Sequence, residues 1–66
     1  MTNLKRIRTA AGITQAALAE SSGISLRTLQ DYEQGRKNIN GAAALTVFRL
    51  AQMLNVDVED LLELQT

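Results

Sequence analysis

Apolar residues recur at helical spacing along most of the chain, and no segment alternates as a half-buried strand does. Leu4, Ile7 and Ala11 fall on one face and predict a first helix over about 2–11, with Gly12 as its stop. A second helix is expected over about 15–21, burying Ala17 and Leu18, with Ile13 packed just ahead. The third covers about 26–34 and turns Leu29 and Tyr32 inward. The fourth covers about 41–54, its stripe made of Ala44, Val47, Phe48, Ala51 and Leu54 with Leu50 beside it. The fifth covers about 58–64 and buries Val58, Leu61 and Leu62. The expected fold class is therefore all-α, a compact single domain over residues 1–66.

Helices this short are unstable in isolation, so their starts matter. Thr14 can cap the second helix, with Gln15 at its first position, and Ser25 can cap the third. Ile13-Thr14 with Leu18, Ile24-Ser25 with Leu29, and Val56-Asp57 with Leu61 repeat one device. In each, an apolar residue ahead of a capping residue can pack on the residue five positions on, the spacing of a hydrophobic staple. Asp60 sits where a capping-box acid sits relative to Asp57. Gly23 supplies the freedom needed by the turn between the second and third helices, and Gly35 can end the third. Two helices joined in this way form an apolar corner that pushes the second outward, a shape suited to the major groove of DNA.

Composition narrows the possibilities. A domain of this size buries only about 60% of its unfolded surface, so its stability margin is thin. Only 3% of the residues are aromatic, so the core must be aliphatic, with Phe48 and Tyr32 as the rings. There is no Cys, and so no disulfide or soft metal ligand. There is no His either, which removes the commonest general base. The carboxylates gather only at Asp57, Glu59, Asp60 and Glu63, where capping and solvation account for them. No phosphate-cradling glycine loop precedes a helix. No enzymatic activity and no cofactor or metal is expected. The lack of a long apolar run or secretory signal predicts a cytoplasmic protein with no membrane association.

Formal net charge is zero, but its distribution is uneven. Residues 1–40 hold six cations (Lys5, Arg6, Arg8, Arg27, Arg36, Lys37) against three anions (Glu20, Asp31, Glu33). Residues 41–66 hold Arg49 against four anions. A local basic face can attract nucleic acid even when the total is neutral.

The segments L-K-R-I-R-T-A-A-G-I-T-Q-A-A-L-A, G-I-S-L-R-T-L-Q-D-Y-E-Q-G and F-R-L-A-Q-M-L-N-V-D-V-E-D-L-L carry a family likeness. Together they resemble the Cro and phage-repressor type of helix-turn-helix, the XRE family, over about residues 4–64. The resemblance implies a compact five-helix, lambda-repressor-like domain with its helix-turn-helix at the second and third helices. It also implies a small transcriptional regulator, expected to be a repressor, that binds double-stranded DNA with the third helix in the major groove. By the same likeness, Arg8 and Glu33 form a partly buried ion pair joining the first helix to the third. Base contacts map to Leu26, Arg27, Gln30 and Asp31. A guanidinium such as that of Arg27 can bridge O6 and N7 of guanine, and Gln30 can address adenine in the same bidentate way. Leu26 can meet only a thymine methyl, while Asp31 either accepts from cytosine N4 or holds Arg27, four residues back.

Phosphate contacts are expected elsewhere. Gln15 stands at a helix start, where free N–H groups favour an anion, and the family often places a phosphate-binding Gln there. Gln34, Arg36, Lys37, Asn38 and Asn40 form a polar stretch after the third helix suited to the DNA backbone. A homodimer on a two-fold operator is expected, with half-site centres about 34–36 Å apart. Leu61, Leu62 and Leu64 offer a seam for that dimer. The alternative is a protein-interaction module, such as an antitoxin holding its toxin through the same fifth helix.

Overall fold

In a computed structural model, residues 1–64 are described. They form α1 (Asn3–Ala10), α2 (Gln15–Ser22), α3 (Leu26–Glu33), α4 (Ala44–Leu54) and α5 (Val58–Leu61), with a single 3-10 turn at Ile39–Gly41. No strand occurs among the described residues. No helix among them is long and apolar enough to cross a membrane. The end of the expected domain, residues 65 and 66, lies outside the described residues.

The centre is built from one leucine of every helix: Leu4, Leu18, Leu29, Leu50 and Leu61 are each at most 1% exposed. Ala19, Ile39, Val47, Ala51 and Leu54 complete the buried cluster. Ile7, Ile13, Ile24, Tyr32, Val56, Val58 and Leu62 pack around it. Truncating one of the central leucines removes transfer energy and leaves a cavity, at a cost of about 2–5 kcal/mol.

Local chemistry explains the helix starts. The Thr14 hydroxyl accepts from the Ala17 N–H at 3.1 Å, and that of Ser25 from the Thr28 N–H at 3.0 Å. Thr2 caps α1 by accepting from the Lys5 N–H at 3.3 Å. At α5 the Asp57 N–H donates to the Asp60 carboxylate at 3.1 Å, the return arm of the capping box. Between α2 and α3 the chain turns in three residues through Gly23, whose φ of +72° is left-handed and strained for any side chain.

Several expectations need correction. Ala17 is exposed, because the inward face of α2 is set by Leu18, Ala19 and Ser22, and Ala17 lies on the far side of the cylinder. Ala11 is exposed beyond the end of α1. The inward stripe of α4 is Val47, Leu50, Ala51 and Leu54, which leaves Ala44 and Phe48 facing out. That helix starts at Ala44 rather than near residue 41 because Asn38 caps the 3-10 turn, with its side-chain oxygen accepting from the Asn40 N–H at 2.9 Å. The turn delivers Ile39, the lone apolar residue of the polar loop, into the core. The fifth helix ends at Leu61, and Leu62 is extended. The side-chain amide of Asn3 donates to the Leu62 carbonyl at 2.9 Å, and its backbone N–H to a Glu63 carboxylate oxygen at 2.8 Å. The amide of Asn40 exchanges two 2.8 Å bonds with the Glu63 backbone. The leucine seam on the fifth helix therefore dissolves: Leu61 is fully inside, Leu62 is partly covered, and Leu64 alone is exposed.

Candidate nucleic-acid interface

Three positions of α3 turn inward: Leu29 and Glu33 are buried and Tyr32 is half-buried. The same geometry turns Leu26 and Arg27 outward, and the Arg27 side chain is 81% exposed. Gln30 lies at the margin, half-buried.

A chain of polar contacts runs from the core to this outer face. Arg8 grips Glu33 with two bonds, Nε to Oε2 at 2.6 Å and Nη2 to Oε1 at 3.1 Å. Its remaining nitrogen, Nη1, donates to the Ile13 carbonyl at 2.7 Å. The Glu33 side chain has no exposed surface, so this forked pair is the partner its charge requires. Glu33 Oε1 also accepts from Gln15 Nε2 at 3.0 Å. Gln15 Oε1 in turn accepts a long bond, 3.4 Å, from Gln30 Nε2. The first residue of α2 is thereby tied both to the ion pair and to α3.

At the far end of α3 a second acidic residue organises the cations. Arg36 Nε donates to Asp31 Oδ1 at 2.8 Å. Arg27 lies 3.6 Å from the same oxygen, and the Lys37 ammonium lies 4.0 Å from the other. A further Arg36 nitrogen donates to the Gln34 side-chain oxygen. The hydrogen bond from Arg36 holds the Asp31 carboxyl below its ordinary pKa, outweighing the opposing effect of partial burial, and the charges of Arg36, Arg27 and Lys37 add to it.

Leu26, Arg27, Gln30, Gln34, Arg36 and Lys37 are thus assembled on α3 and the loop after it. Gln15 is joined to them through Gln30. Two of the expected phosphate contacts, Asn38 and Asn40, have side-chain atoms engaged within the chain. Asn40 spends its amide on the Glu63 backbone, and the Asn38 side-chain oxygen is taken by its own turn. Asp31 takes the second of its two expected roles, lying 3.6 Å from Arg27, and it is engaged by Arg36 and Lys37 as well. The Asp31 to Arg36 contact was missed because the partners are five residues apart across a helix end, where helical spacing no longer tells which side chains meet. A groove of about 190 Å³ lies beside Thr2, Tyr32, Lys37 and Glu63. It is smaller than the roughly 300–1,000 Å³ of ordinary small-molecule sites.

Comparison with known proteins places this arrangement. A family model described as helix-turn-helix matches residues 4–61. The chain belongs to this family, the XRE or Cro and phage-repressor type. It is accordingly a DNA-binding transcriptional regulator. A similar solved structure is the crystal structure of the restriction-modification controller protein C.AhdI from Aeromonas hydrophila. That protein is 29% identical, with a TM-score of 0.78 over 89% of this chain and 85% of its own. No curated protein sequence matches the regulator.

Proposed function

We propose that the regulator represses transcription by inserting α3 into the major groove and occupying a specific operator. The observation that carries this reading is the exposed Arg27 on the outer face of a helix whose inner face is locked by Leu29 and the Arg8–Glu33 fork. Arg27 reads guanine, Gln30 reads adenine or positions Gln15, and Leu26 contacts a thymine methyl. Arg36, Lys37 and the free N–H of the Gln15 amide contact backbone phosphates.

Selection from a randomised duplex pool tests the reading. A defined enriched sequence is expected, and Arg27→Ala should lose about 1–3 kcal/mol of discrimination at one base pair while melting like wild type. An enriched motif that Arg27→Ala reads unchanged would reject this role.

One α4 face carries Leu45, 57% exposed, and Phe48, 49% exposed, three residues apart. This apolar face supports pairing of two copies on a two-fold operator. Sizing by light scattering should give a dimer that Phe48→Glu converts to a monomer. A wild-type monomer at high concentration would instead leave the face to a different protein partner, as an antitoxin requires.

A further inference from the structure

Asp31 stands on the outward side of α3, about 160° around the helix from Leu29 at 100° per residue. Its side chain is nevertheless only 12% exposed. The loop after the helix folds back over it. Gly35 takes a left-handed φ of +79°, and the Lys37 N–H donates to the Asp31 carbonyl at 3.1 Å. Arg36 then reaches Asp31 Oδ1 through Nε and Gln34 through Nη1, while its side chain stays half exposed. Two of the five guanidinium N–H donors serve these bonds, so three remain.

Resting on the reading that Arg36 contacts a phosphate, the geometry points to Asp31 as a positioning residue for DNA binding. It fixes the Arg36 guanidinium against the end of α3, so that the remaining donors meet a backbone phosphate without further ordering. An unanchored arginine loses rotamer freedom on binding; one already held by a carboxylate loses less. An aspartate near DNA also repels phosphate. The two effects have opposite signs, so removing the Asp31 charge while keeping its shape separates them. Arg27 is held only loosely, at 3.6 Å, and remains available to bases.

The test uses a duplex enriched from a randomised pool by the wild-type protein, about two helical turns long. Asp31→Asn should bind it about three- to tenfold more weakly than wild type, and the log–log salt slope should flatten by about 0.9, one phosphate contact. In an Arg36→Gln background the same change should weaken binding no further. Arg36→Lys keeps the charge and leaves Asp31 in place but lacks the Nε–H that Asp31 grips. It should weaken binding comparably, and it carries the test if Asp31→Asn melts early. Unchanged or tighter binding by Asp31→Asn, with wild-type stability, would overturn the proposal, as would wild-type affinity in Arg36→Lys. If the wild type enriches no sequence, the underlying reading falls and this inference with it. If the wild type enriches one and Asp31→Asn tightens on it, only this inference falls.

Discussion

Glu33 and Asp31 lie two residues apart on one helix, yet they do opposite work. Glu33 faces the core, has no exposed side-chain surface, and is held by a forked arginine from another helix. Asp31 faces out and is covered only by cations of its own helix and the loop after it. The first joins elements distant in the chain and belongs to the scaffold. The second arranges neighbours that remain half or more exposed and belongs to the surface proposed to meet DNA. The lesson is that the sign of a charge says little about its role, and the side of the helix it stands on says much.

The largest expected effect breaks the inner pair. Glu33→Ala leaves Arg8 without its carboxylate and Gln15 without its acceptor, and should cost about 3–5 kcal/mol. That is a large share of the roughly 5–15 kcal/mol that holds a domain together. Chemical denaturation of Glu33→Ala beside Asp31→Asn checks it, and equal midpoints would erase the contrast. A middle-sized effect concerns the helix that carries both acids. Ser25→Ala removes the α3 cap and should cost about 0.5–2 kcal/mol, lowering the melting point while an intact folded fraction binds DNA normally. The smallest effect is a pH dependence. The Asp31 carboxyl has a lowered pKa in the folded protein, so its stabilisation is present above its ordinary value of 3.8. It is lost as pH falls through the lowered folded value. The stability gap between wild type and Asp31→Asn should therefore be level at neutral pH and shrink only below about 3.8. A gap that closed at higher pH would mean that Asp31 is not held in this way.

What could be read from the sequence follows the range of the interactions. The caps at Thr14 and Ser25 act over three residues, so local spacing suffices to find them. Leu4, Leu18, Leu29 and Leu61 are legible because helical spacing marks an inner face, whereas Leu50, read as lying beside the α4 stripe, sits fully buried within it. Spacing alone erred where the stripe is broad: Phe48 and Ala17 look inward on a list of apolar positions but sit beside or behind the face that packs. The Arg8–Glu33 fork spans 25 positions and was expected only through family likeness. Asn40 with Glu63 spans 23, and Asn3 with Leu62 spans 59, and neither leaves a periodic trace. Ile39, a single apolar residue inside G-R-K-N-I-N, leaves none either, and its burial comes from the turn that carries it inward.

Every helix places one leucine in the same closed centre, and each of the five is at most 1% exposed. A centre shared by all five helices is expected to melt as one unit, so that the ensemble divides between folded and unfolded molecules. As the proposed base reader, Arg27 would share that all-or-none character: heat is expected to remove whole readers from the population before it blurs the aim of any survivor.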